Sequence, residues 1–157
     1  MAEEWLIDGY NLLHACPSAN NSKNTREDRT ALLSALASFT SQKDRPMLVV
    51  MDGFGDPSEL DIHNTKLFRV VYSQKVSADA YIERILYERR SQASFMVVTD
   101  DRAISNIARG GGASVIGTGA FLEMMKESQK ESSESLHKNK LRSHGFNRPF
   151  EDKLKDP

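Results

Sequence analysis

Trp5-Leu6-Ile7-Asp8-Gly9-Tyr10-Asn11 is the stretch from which the rest of the chain can be read. Its first residues make a short apolar run that ends in an aspartate. It reads as a buried strand over Trp5 to Asp8, with Gly9 opening a turn. The pattern recurs. Pro46 to Asp52 (PMLVVMD) is another apolar run closed by Asp-Gly, and Phe95 to Thr99 (FMVVT) runs into Asp100-Asp101. Leu67 to Tyr72 and Ala113 to Ile116 read as two further strands.

Helical spacing fills the intervals. Arg26 to Gln42 carries Leu32, Leu33, Leu36, Ala37 and Phe39. Ser77 to Gln92 has Ser77 as its N-cap and Ala78, Ile82, Ile85 and Leu86 as its apolar stripe. Arg102 to Arg109 is a short helix ended by Gly110-Gly111-Gly112, and Thr118 to Lys130 is the last. Cys16 to Thr25 and Gly53 to Asn64 read as loops. Strands that are continuous apolar runs and alternate with helices predict an α/β fold, with a central parallel sheet covered on both faces.

The chain has 157 residues, enough for one domain with a real core. We place that domain at residues 1–130. From Glu131 the composition turns to Ser, Lys, Glu and Asn, and residues 131–157 read as a polar, basic tail, partly ordered or mobile. A net charge of -1 neither favours nor excludes nucleic acid, because a local basic patch can sit on a neutral protein. The single cysteine, Cys16, can make neither an internal disulfide nor a cysteine-based zinc site. No run approaches the ~20 apolar residues of a membrane span, and no signal peptide is visible. The cytosol is the expected compartment.

In open parallel sheets the ligand site lies beyond the carboxyl ends of the strands. Asp8, Asp52 and Asp100-Asp101 all follow strand ends, and Asp79 lies in the first turn of the helix after the third strand. Separate segments thus deliver carboxylates to one rim. Such a cluster is tolerated if a cation neutralises it or if some acids are protonated. Carboxylates suit Mg2+ or Mn2+, ions that can activate water and neutralise a scissile phosphate. Each aspartate also has a plainer reading as a helix cap or turn former. Asp79 in addition complements a helix dipole, and Glu83 shares its helical face.

These residues resemble a known family. Ile7-Asp8-Gly9-Tyr10-Asn11-Leu12-Leu13 is similar to the opening motif of NYN-domain proteins, in particular the bacterial YacP-like group of the PIN-like nuclease superfamily. Val49 to Gly53, Ser77 to Glu83 and Val97 to Arg102 agree in order and spacing, and Arg148-Pro149-Phe150 resembles the family's tail. The resemblance spans residues 4 to 128, with a weaker match in the tail. It implies a three-layer PIN-like fold with a mostly parallel sheet. It also implies an endoribonuclease dependent on Mg2+ or Mn2+, with a ribosome-associated nuclease that cuts messenger RNA among the relatives. By position, Asp8, Asp79 and Asp101 match the family's acids, Asn11 its site-shaping polar residue, and Asp52 is a supporting candidate. Asp100 stands where relatives carry a small polar residue. Adjacent acids project differently, so one of the pair is the direct metal ligand, and the family pattern favours Asp101. Thr99 either orients Asp101 or a bound water, or simply ends its strand.

RNA needs cations near the acids. Lys75, Arg84, Arg102 and Arg109 are candidates beside the core, and Arg142 and Arg148 in the tail, where Phe146 and Phe150 are interleaved. Arginine with aromatics suits single-stranded RNA. The same residues also read as a solvated surface and a solubilising end. His14 reads as a packing or capping residue, and the methionines as core. The leading expectation is a metal-dependent endoribonuclease for single-stranded or messenger RNA. The alternative is a non-catalytic PIN-like module that binds RNA or the ribosome. An aspartyl phosphotransfer enzyme lacks the Asp-x-Asp pattern and lysine partner it needs.

Overall fold

A computed structural model describes residues 3–17, 26–55 and 64–155, with side chains described through residue 137. Within 1–123, the first of two compact units, the strands are β1 (Glu3–Asp8), β2 (Met47–Met51), β3 (Phe68–Tyr72), β4 (Ser94–Val98) and β5 (Ser114–Ile116). They form one sheet in the order β3-β2-β1-β4-β5. Every pairing is parallel, with Ile7 opposite Val49 on one side and Val98 on the other. The expected sheet is therefore present, and among the described residues it is parallel throughout.

Alternation along β1 sends its side chains to two cores. Leu6 packs with Val50, Phe95 and Val97 against α3 (Ala78–Glu88) and α4 (Arg102–Gly110), through Ile82, Ile85, Leu86, Ile104 and Ala108. Trp5 points the other way. Its ring meets Phe39 of α2 (Arg26–Lys43) at 6.0 Å, and Phe121 in the first turn of α5 (Thr118–Lys155) at 5.1 Å. The result is a three-layer arrangement with helices on both faces of the sheet.

Gly9 does not open a turn. It begins α1 (Gly9–Ala15) directly from the strand. A Cβ at Gly9 would stand 2.1 Å from Met51 Sδ and 2.9 Å from the Val50 carbonyl oxygen. Glycine is there because α1 lies hard against β2, a close approach that a helix-breaking reading of glycine cannot foresee. Gly9→Ala is expected to lower stability by about 1–2 kcal/mol. Overpacking against backbone exceeds the gain in helix propensity. Thermal melting should show a drop of about 2–8 °C. An unchanged transition would mean that β2 yields freely at Val50.

The second unit, residues 124–157, continues α5 to Lys155, well past Lys130. Between Gly119 and Gly145 the sequence contains neither glycine nor proline, and Glu127 with Lys130 and Lys130 with Glu134 are spaced to pair along a helix. A polar helix of this kind lacks the apolar stripe by which helices are recognised in sequence. Among the described residues no helix is long and apolar enough to cross a membrane.

Candidate active site

β1 is central. The chain builds β2 and β3 on one side of it, then crosses to β4 and β5 on the other. The crevice between the carboxyl ends of β1 and β4 is thus the switch point at which such sheets bind ligands. Asp8 closes β1 there and is only 6% exposed. It immediately precedes α1 yet makes no capping hydrogen bond with its side chain. Instead Asp8 Oδ2 accepts from the Thr99 hydroxyl at 3.0 Å. Thr99 Oγ1 accepts in turn from the Asp101 backbone N–H at 3.0 Å. A hydroxyl has one hydrogen, so the chain runs one way, from Asp101 N–H through Thr99 to Asp8.

Burial pushes the Asp8 carboxyl up to about 6 from an ordinary 3.8. The negative charges of Asp79 and Asp101 act in the same direction, against the hydrogen bond from Thr99 and the nearby Asn11 backbone N–H. Asp79 is also raised, first by desolvation and then by Asp101 and Asp52. Acids from β1, β2, α3 and α4 therefore feel one another across one rim.

The remaining contacts fix these acids in place. Ser77 accepts from Ala80 N–H at 3.1 Å and starts α3, as the sequence predicts. Asp52 Oδ1 accepts from Ala78 N–H at 3.0 Å, joining the end of β2 to the helix turn that carries Asp79. Asp101 caps α4 by accepting from Ile104 N–H at 3.1 Å. Asn11 Oδ1 accepts from Asp100 N–H at 2.8 Å and so bridges the ends of β1 and β4.

The carboxylate of Asp100 faces elsewhere. Its oxygens accept from Thr118 N–H, at 2.9 Å, and from the Thr118 hydroxyl, at the start of α5. The structure thus separates the two adjacent acids. The charge of Asp101 acts on Asp8 and Asp79, whereas Asp100 fastens β4 to α5. Sequence reasoning missed Thr118 and Ser73, whose hydroxyl reaches Asp52 Oδ1 at 3.4 Å. Their only signal is a small polar residue at the end of a loop.

Among the described residues, no group of three His, Cys, Asp or Glu is already gathered as a metal site. The acids nevertheless fit a hard, hydrated cation. Mg2+ keeps several waters and is commonly held through one or two carboxylates, and the raised Asp8 and Asp79 are groups whose charge a cation would relieve.

The basic candidates divide. Lys75 lies in the exposed turn before α3, and Arg102 opens α4 next to Asp101, so both belong to the rim. Arg109 sits in the last turn of α4, about 10 Å further along the helix axis and away from the acids. Arg84 lines a groove between α3 and α4 with Tyr87, Arg90 and Ile107. Arg89 is bound to Glu4 at 2.6 Å. The side chains of Arg142 and Arg148 lie outside the described residues.

A five-stranded parallel sheet of this order, with acids along the rim of its switch point, is the arrangement of the PIN-like fold. Comparison with known proteins narrows the class. The family model for the YacP-like NYN domain matches residues 5–156, so the chain belongs to that family, which is a family of RNase-type nucleases. The match includes the helix beyond residue 130. The fold is similar to the crystal structure of Rae1 (YacP) from Bacillus subtilis, with a TM-score of 0.71 and 21% identity over 96% of this chain and 88% of that one. A W164L mutant of the same protein gives a TM-score of 0.71 and 22% identity over 88% and 84%. No curated protein matches the chain.

Proposed function

We propose that the chain is a divalent-metal-dependent endoribonuclease. It hydrolyses phosphodiester bonds of single-stranded RNA, messenger RNA above all, in the cytoplasm and with the ribosome as a partner. The observation that supports this best is Asp8: a buried carboxyl, raised to about 6, facing the charges of Asp79 and Asp101. Burying an acid beside other acids lowers stability unless a cation or a proton shares the site. Asp8, Asp79 and Asp101 would hold Mg2+ or Mn2+, with Asp52 in support and Asp100 as a positioning residue. When bound, the ion supplies an activated water and neutralises charge on the scissile phosphate. Thr99 keeps Asp8 oriented. Asn11 holds the ends of β1 and β4 in register. Lys75 and Arg102 stand where phosphates flanking the cut would lie.

A second reading, a module that binds RNA or the ribosome without cutting, is favoured by one observation: among the described residues, no three acids are already gathered as a metal site. The two readings differ in linkage. Occupancy at about 100 times the dissociation constant stabilises a protein by about 2.7 kcal/mol, which here corresponds to a rise of about 5–10 °C. Saturating Mn2+ is expected to produce that rise, and chelator to remove it. Free and ribosome-bound messenger RNA should then be cut only with Mn2+ or Mg2+ present. A melting temperature indifferent to metal, with RNA left intact, would leave the binding module.

A further inference from the structure

Phe54 is 73% exposed, the most exposed large apolar side chain among the described residues. It lies two residues beyond Asp52, on the loop that leaves the carboxyl end of β2. That loop is held on both sides of Phe54. Gly53 takes a φ of 87°, its N–H donates to Ser73 Oγ at 3.1 Å, and its carbonyl accepts from Gln74 N–H at 2.8 Å. On the other side, a Cβ at Gly55 would stand 2.1 Å from the Tyr72 ring, so the backbone there lies close against that ring. Gln74 itself has a φ of 62°, a left-handed conformation that the paired loops hold in place. A phenyl ring is thus presented to solvent from a fixed backbone.

What surrounds the ring restricts what it can meet. The Gly53–Gln74 hydrogen bond joins the β2 loop to the β3–α3 turn, and Phe54 and Lys75 are the residues that follow its two members. Lys75 and Val76 are exposed, and Asp79 lies in the first turn of α3. The neighbourhood therefore holds an aromatic face, an ammonium and, at its inner edge, the carboxylates of Asp52 and Asp79. A single-stranded polynucleotide has the complementary parts: a flat base, a phosphate, and a backbone leading to the acids. An apolar peptide would leave Lys75 and the carboxylates without a role.

We propose that Phe54 and Lys75 form a nucleotide-holding platform, with Phe54 stacking on a base and Lys75 pairing with its phosphate, so that the adjoining phosphodiester lies over the acidic rim. The proposal rests on the reading of the rim as an RNA site, and goes beyond it by assigning a base-binding subsite. A stacked face takes any base, so the platform secures single-strandedness rather than sequence.

The test measures binding separately from cutting. In an Asp8→Asn background, the full chain is titrated with a fluorescent single-stranded oligouridylate. Phe54→Ala is expected to weaken binding about tenfold, and Phe54→Trp to preserve it, with quenching of the new indole on addition of RNA. The only natural tryptophan, Trp5, is buried and supplies a constant background. A strand with abasic sites should bind the parent protein and its Phe54→Ala variant alike. Lys75→Ala should reduce the slope of log affinity against log salt by about 0.7. If Phe54→Ala leaves affinity for the normal strand unchanged, or if the parent binds an abasic strand as tightly as the normal one, the platform is overturned. If the wild type still cuts RNA in that case, the nuclease reading stands and the exposed ring belongs to another partner. Binding that depends on Phe54, with no cutting by the wild type, keeps the platform and sinks the nuclease.

Discussion

Asp8→Asn is expected to lower RNA cleavage by about 10^3-fold and, in the same protein, to raise the melting temperature without metal. Loss of activity follows from removing the buried charge that would hold the cation, the kind of preorganised electrostatic group whose removal costs two to three orders of magnitude. The gain in stability follows from linkage. The Asp8 carboxyl stands at about 6 in the folded protein against an ordinary 3.8. The folded state therefore binds the proton more tightly than the unfolded chain, and stability falls as pH rises between those values. Below about pH 4 the contribution vanishes. Above about pH 6 it reaches its full size, a destabilisation of about 2–3 kcal/mol for the metal-free protein. Asparagine has no charge to desolvate, and its carbonyl oxygen can still accept from Thr99. At pH 7 the variant should melt about 4–10 °C higher than metal-free wild type, with the difference closing toward pH 4. Saturating Mn2+ should narrow the gap by stabilising only the wild type. A variant that melts lower than wild type at every pH would show that Asp8 stabilises the fold, and would remove the main support for a cation site.

That opposition between stability and function explains which parts of this molecule can be read from its sequence. The strands are legible because burial on both faces leaves uninterrupted apolar runs, and strand ends mark the rim. α3 is legible because Ser77 and the Ala78-Ile82-Ile85 stripe agree with each other. α1 is not, because Gly9 has the same symbol whether it breaks a pattern or permits a close approach, and the approach is made to Met51 and Val50, far along the chain. The same limit applies to Asp100 and Asp101. Adjacent in sequence, they are told apart by Thr118, which takes the carboxylate of Asp100 through a contact 18 residues away. Arg109 was within reach of sequence reasoning. Counting residues along its helix would have placed it a helix-length from the acids. Phe54 was not, since an aromatic between two glycines in a loop carries no sign in the sequence of whether its ring is buried or exposed. Local pattern finds the elements and the rim. Which polar atoms face one another across the rim depends on contacts between distant segments.

Thr99 is where those contacts meet, and its replacement should separate position from charge. Thr99→Val keeps the shape but deletes a hydroxyl that both donates to Asp8 and accepts from Asp101 N–H. A hydrogen bond to a charged group contributes about 1.5–3 kcal/mol, so losing this one should raise the Asp8 carboxyl further, by about one to two pH units above its present value near 6. Proton and cation compete for the same oxygens. At a fixed, subsaturating Mn2+ concentration, the acid limb of the pH–rate profile should therefore move upward by a comparable interval, and cleavage at pH 6 should fall about tenfold or more. Raising either the pH or the Mn2+ concentration should recover much of the loss, because Asp8 itself is intact. Thr99→Ser retains the hydroxyl and should restore the wild-type profile. A residue that only ends a strand would behave otherwise: valine is well suited to a strand, so Thr99→Val would leave the pH profile unmoved. An unmoved profile with normal cleavage would return Thr99 to that structural role. A uniform loss at every pH and every Mn2+ concentration would instead place Thr99 in contact with the substrate.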